Sequence, residues 1–257
     1  MRLAFLACRN IHLSFGGVTA IDGVSFDLRK GELFAVIGPN GAGKSSLLNC
    51  ISGLYHPQLG TISYHDHDIT RLKPHKRAAL GISRSFQNIA LFKEMSVLDN
   101  ILIGRHLHLH AGLLGGGLFL PGVRREEIRN RQIADELMAF LQLEDVRHTP
   151  VGELPYGMQK RVELARALAL DPELLLLDEP MAGMNAAERD EMVQAILETN
   201  ALRGVTIMMI EHDMGIVMEI SDTVCVLDFG RQIAIGPPED IQQDPHVIKA
   251  YLGEEDE

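Results

Sequence analysis

The sequence predicts an α/β fold: a parallel sheet core with helices on both faces, an antiparallel β flank and an inserted helical subdomain. Three observations carry this expectation. Four apolar runs, Leu33–Ile37, 174–177, Thr206–Ile210 and 223–227, have the unbroken hydrophobicity of strands covered on both sides. Helical stretches such as 187–202 separate the later runs, and strands alternating with helices imply parallel pairing. From about 96 to 170 helical periodicity dominates, with no convincing strand. The 257 residues therefore read as a single domain, with 1–95 and 171–257 as the α/β core and 96–170 as the helical subdomain.

Taken in order, residues 9–35 read as strands, because Val24, Phe26 and Leu28 alternate with polar neighbours. A glycine loop follows Ile37. After it comes a short helix with Leu47, Leu48 and Ile51 on one side, ended near Gly53. The most apolar loop, 111–123, is Gly-rich and well short of the ~20 apolar residues that a membrane-spanning helix needs. Asp228-Phe229-Gly230 spells a protein-kinase motif, but it precedes Gln232-Ile233-Ala234-Ile235 and reads as a hairpin turn.

Composition narrows the function. At 46% hydrophobic and 23% charged, the chain is an ordinary globular protein. A net charge of -11 argues against a nucleic-acid partner and against adhesion to an anionic membrane surface. Arg124-Arg125 reads as exposed helix surface, whereas Lys160-Arg161 stays open as a local basic patch. Three cysteines without metal-ligand spacing suit no disulfide framework, and Cys50 and Cys225 read as buried small hydrophobes. Glu254-Glu255-Asp256-Glu257 reads as a solvated tail, and the start lacks the features of a signal peptide. The expectation is a cytoplasmic protein that reaches a membrane only through a partner.

The segment Gly38-Pro39-Asn40-Gly41-Ala42-Gly43-Lys44-Ser45, with Ser46 beside it, matches the phosphate-binding P-loop in full, between a buried strand and a helix. Glycines let the backbone wrap a phosphate with its N–H groups inward, and the helix N-terminus favours an anion. Lys44 is placed to reach the β- and γ-phosphates of ATP, and the Ser45 hydroxyl to ligate Mg²⁺. Asp178 and Glu179 end an apolar run, where a sheet of this kind presents acidic residues beside the phosphate loop. Asp178 fits as a holder of Mg²⁺ through its waters, and Glu179 as the base or orienting group for the attacking water. Gln87, where the core passes into the subdomain, and His212, just after a buried strand, are further candidates. His106, His108 and His110 share a face only in an extended segment, so a polar loop or helix edge is preferred over a metal site, as for His65 and His67.

These residues resemble the ABC ATPase family over essentially the whole chain. The resemblance rests on the P-loop, Gln87, the segment Leu154-Pro155-Tyr156-Gly157-Met158-Gln159, Asp178-Glu179 and His212, in the family's order. It implies a RecA-like P-loop NTPase core and ATP hydrolysis, with Gln87 and His212 at the γ-phosphate and Gln87 also at Mg²⁺. The segment from Leu154 is similar to the family's signature, so Tyr156, Gly157 and Met158 would complete the nucleotide site of a second subunit. Pro155 removes the signature's hydroxyl and an N–H, and Asn185 replaces an acidic residue common in the loop after Glu179. Phe15 falls where the family stacks an aromatic on adenine, although an alternating strand residue could equally be core.

Tyr156 before its glycine, the loop Ala182-Gly183-Met184-Asn185, the 105–123 insertion and the tail around Tyr251 resemble ATPases of branched-chain and hydrophobic amino acid importers. The partners implied are transmembrane permease subunits, a second ABC ATPase or a second copy of this chain, and indirectly a periplasmic solute-binding protein. Permease docking would use the groove between the Gln87 loop and the helical subdomain, on the inner face of the membrane. An ATPase for lipid or lipopolysaccharide export, a non-transport ABC ATPase and a small-molecule P-loop kinase stand as the rival readings.

Overall fold

The computed structural model describes residues 4–85, 91–108 and 121–252. Two sheets share the α/β core. A six-stranded sheet runs in the order β10-β9-β3-β8-β7-β6. Its strands are β3 (Leu33–Ile37), β6 (Ile82–Arg84), β7 (Leu174–Asp178), β8 (Thr206–Ile210), β9 (Thr223–Asp228) and β10 (Arg231–Gly236). All are parallel except β10, which pairs antiparallel with β9 through the turn at Phe229 and Gly230. A four-stranded antiparallel sheet, β2-β1-β4-β5, is built from β1 (Leu6–Phe15), β2 (Val18–Leu28), β4 (Leu59–Tyr64) and β5 (His67–Asp68).

The apolar runs are buried on both faces, as their composition demands. Leu33, Ala35 and Ile37 of β3 enter one core cluster with the helices, while Phe34 and Val36 enter the other with the antiparallel sheet. The same alternation divides Leu175 and Leu177 from Leu174 and Leu176, and Ile207 and Met209 from Met208 and Ile210. Each fully buried side chain of this size stabilises the fold by about 1.5–3 kcal/mol. Cys8, Cys50 and Cys225 are free and buried, and burial holds the Cys50 and Cys225 thiols up at about 12.

The helix α1 (Lys44–Ser52) ends at Gly53, in the left-handed conformation. Its C-terminal carbonyls meet Arg77, which is fully buried on α2 (Pro74–Ala79). Arg77 donates to the carbonyls of Cys50, Ile51, Thr70 and Leu72 at 2.6–3.1 Å. A cation at the negative end of a helix dipole suits this burial.

Residues 96–170 carry α3 (Val97–Gly104), α4 (Pro121–Phe140) and α5 (Tyr156–Leu168), with short 3-10 turns. Among the described residues the only β feature in that stretch is an isolated bridge between Ser96 and Pro150. Two expectations change in detail, while the histidine segment forms a turn, as preferred. The strands begin at Leu6 rather than residue 9. His106 and His108 occupy a 3-10 turn and bond the carbonyls of Ile103 and Leu170, so no extended imidazole face forms; His110 lies outside the described residues. Lys160 is buried and paired with Glu163, which removes it from any basic surface. The 254–257 tail also lies outside the described residues.

Candidate nucleotide and hydrolysis site

Three loops leave the same edge of the six-stranded sheet. Val36 of β3 pairs with Ile210 of β8, and Ile210 pairs with Asp178 of β7, so the three strands end level. The P-loop, the Glu179 turn and the His212 turn therefore start side by side. The C-terminal edge of a parallel sheet is where such folds bind ligands.

The P-loop has no room for side chains at two of its glycines. At Gly38, with φ 143°, a Cβ would lie 2.0 Å from the Leu227 carbonyl oxygen. At Gly43, with φ 97°, it would lie 2.2 Å from that of Ala20. The loop is held from outside by the Gly230 N–H, which donates to Ala42 O at 3.1 Å. Lys44 is 9% exposed and curls back over the loop, donating to the carbonyls of Gly38 at 2.5 Å and Pro39 at 2.9 Å. Ser45 and Ser46 follow in the first turn of α1, half-buried.

Asp178 is buried at the end of β7, and Arg84 of β6 donates to its Oδ2 at 2.8 Å. Its Oδ1 is buried and has no hydrogen-bond partner. Burial pushes the Asp178 carboxyl above the ordinary carboxylate range; Arg84 opposes the rise, and the neighbouring Glu179 adds to it. Glu179 has φ 49°, a left-handed conformation uncommon for a non-glycine residue. The turn is fixed by the Glu179 N–H donating to Ile210 O at 3.0 Å and the Ala182 N–H donating back to Glu179 O at 3.2 Å.

His212 is 63% exposed at its side chain, in contrast to Glu211 beside it at 1%. Glu211 accepts from the backbone N–H of Met181 at 3.1 Å and of His212 at 3.3 Å. It thereby ties the turn after Glu179 to the turn carrying His212. Burial raises its carboxyl above the ordinary range, with those N–H groups and His212 opposing the rise. Gln87 lies outside the described residues.

The signature-like segment opens α5, with Pro155 at the N-cap position and no side-chain cap. Its contacts run to the loop after Glu179. Glu188 accepts from the Gly157 N–H at 3.3 Å, and Asn185 and Glu188 form a capping box on α6 (Ala186–Arg203). The Tyr156 ring packs against Gly183 and is 41% exposed, while Met158 is half-buried. Phe15 ends β1, 46% exposed and edge-to-face with Tyr55, so it is a surface aromatic rather than core.

Lys44, Ser45, Asp178, Glu179 and His212 thus share one edge, whereas Tyr156 and Gly157 meet Gly183 and Glu188 beyond Glu179, and Met158 packs on the helical core. Sequence reasoning passed over Arg84, Glu188 and Glu211. A charge within a three-residue strand, or directly before a candidate histidine, was the available signal. The buried, unpartnered Oδ1 of Asp178 fits an oxygen-ligated divalent cation, a hard ion suited to carboxylate, hydroxyl and water.

Residues 21–182 match the family model described as ABC transporter, and 231–257 one described as branched-chain amino acid ATP-binding cassette transporter. The chain is 39% identical over 254 residues to the high-affinity branched-chain amino acid transport ATP-binding protein BraF of Pseudomonas aeruginosa, covering 99% of this chain and all of that one. It is 40% identical, over the same shares, to the corresponding LivG protein of Salmonella typhimurium. A nucleotide-free ATP-binding cassette from an ABC transporter superposes with TM-score 0.84 at 34% identity, covering 97% and 99% of the two chains. A cassette in its ADP conformation gives 0.85 at 34% identity, covering 98% and 99%.

Proposed function

Because the chain belongs to the ABC transporter family of ATP-binding cassettes, we propose that it is the ATP-hydrolysing subunit of an importer for branched-chain or related hydrophobic amino acids. The observation that carries the chemistry is the level ending of β3, β8 and β7, which gathers phosphate loop, carboxylates and histidine on one edge.

The P-loop N–H groups and Lys44 bind the ATP phosphates, with Phe15 against the adenine. Ser45 and Asp178, with Gln87, hold Mg²⁺, which when bound offsets the phosphate charge. Glu179 orients and deprotonates the attacking water, its side chain set by the left-handed turn. His212 and Gln87 act at the γ-phosphate. Tyr156, Gly157 and Met158 complete the site of a second subunit: the N-terminus of α5 keeps the Gly157 N–H and a favourable field even with proline at its cap. ATP then closes a dimer of cassettes, and hydrolysis with product release reopens it.

Among the described residues no helix is long and apolar enough to cross a membrane. Transmembrane permease chains supply the pathway, and a periplasmic binding protein delivers the solute. This chain then sits on the inner face of the membrane, beside a second cassette or a second copy of itself. The match over 231–257 favours amino-acid import over lipid export. The α5 signature segment sets the chain apart from small-molecule kinases.

The test is ATP turnover across a series of protein concentrations. Turnover rising more steeply than linearly, and abolished by Glu179→Gln, is expected. Linear turnover that depends on a small-molecule phosphate acceptor would replace this reading with a kinase.

A further inference from the structure

Arg84 ends β6 and reaches into two other elements. One guanidinium nitrogen donates to Asn49 Oδ1 at 2.5 Å and Ser52 Oγ at 3.1 Å, both on α1. A second donates to Asp178 Oδ2 at 2.8 Å. The two ionic side chains are 11% and 2% exposed. A planar guanidinium fixes direction as well as charge, which the point charge of a lysine does not. With Oδ2 held by Arg84, the remaining carboxylate oxygen is the buried Oδ1, which has no partner of its own. The helix on the other side of Arg84 begins with Lys44 and Ser45.

We propose that Arg84 is a positioning residue for the divalent-cation half of the site. It orients Asp178 through Oδ2 so that Oδ1 is free for the hydrated cation. The inference rests on the ATPase reading above, and it assigns Arg84 a role in cation affinity rather than in grip on the nucleotide alone. A clamp serving α1 only would act through Asn49 and Ser52, so the two roles separate experimentally.

The experiment is equilibrium binding of ATP to the whole chain, in EDTA and across a Mg²⁺ titration. It compares wild type, Arg84→Met, Arg84→Lys, Asn49→Ala and Asp178→Asn. Arg84→Met is expected to raise the Mg²⁺ concentration for half-maximal tightening by roughly 10-fold, the usual scale for losing a residue that orients a metal ligand. Its affinity in EDTA should stay within about twofold of wild type, since the phosphate loop is unchanged. Arg84→Lys should recover part of the Mg²⁺ response, Asn49→Ala should keep the wild-type response, and Asp178→Asn should resemble Arg84→Met. A wild-type Mg²⁺ requirement in Arg84→Met overturns the inference. So does an equal loss of ATP affinity with and without Mg²⁺, which assigns Arg84 to α1 alone. Should Arg84→Met not fold by circular dichroism, Arg84→Lys and Arg84→Gln carry the same comparison. A wild type whose ATP binding ignores Mg²⁺ overturns the site reading and this inference together.

Discussion

Glu188 accepts a hydrogen bond from the backbone N–H of Gly157 at 3.3 Å, so the first turn of α5 is tied to the first turn of α6 within one chain. The same carboxylate accepts from Asn185 N at 3.1 Å, closing the capping box. The segment proposed to serve a second subunit is thus coupled to the helix that follows the loop after Glu179, the proposed base. Glu188→Ala removes half of the capping box and one helix-end partner. It should lower stability by about 1–2 kcal/mol, the scale of lost caps, read as an earlier urea midpoint.

Gly38→Ala and Gly43→Ala should abolish ATP binding, because each Cβ would run into a backbone carbonyl, of Leu227 or Ala20. Neither carbonyl belongs to a flexible side chain, so the loop itself must move. Gly41→Ala meets no atom within 4 Å and suffers only the strain of φ 79°. It should therefore retain measurable binding in the same titration.

Arg77→Met should destabilise the protein by at least about 3 kcal/mol, since several buried carbonyls lose their donor together. Denaturant unfolding should show a lower midpoint with an unchanged slope. Arg77→Lys should recover little, because one ammonium cannot span carbonyls on both sides of α1's end.

Glu211 gives a pH signature. Burial raises its folded-state pKa above the ordinary value, with Glu179 adding to the rise and His212 opposing it. The stability it contributes is therefore present at low pH and is lost as pH rises through the raised folded pKa. Glutamine cannot ionise. The stability of wild type relative to Glu211→Gln should fall as pH rises from the ordinary glutamate range through the raised folded pKa, measured as the difference in urea midpoints.

Much of the fold was legible because its signals are local. The P-loop announces itself by glycine spacing between an apolar run and a helix, and β7 by four leucines ending in two carboxylates. The alternation of Val24, Phe26 and Leu28 gave the antiparallel flank, and the structure buries all three. The three-residue β6 was not legible, being too short for any periodicity to register. Arg84 joins Asp178 across 94 positions of sequence, and Glu188 joins Gly157 across 31, so neither pairing leaves a local trace. The left-handed turn at Glu179 is imposed by a bond to Ile210 of the adjacent strand, not by a glycine that a reader could see. Phe15 illustrates the reverse: alternation alone left it between core and surface, and the end of β1 turns it outward.

The most direct test of the central claim is the mass of the Glu179→Gln protein in solution, measured by light scattering with ATP and Mg²⁺, with ADP, and without nucleotide. If two cassettes sandwich ATP and hydrolysis reopens them, the mass doubles with ATP alone and stays that of one chain in the other two states. A protein that binds ATP stoichiometrically yet remains a single chain, while wild type hydrolyses ATP in linear proportion to its concentration, would contradict the sandwich mechanism.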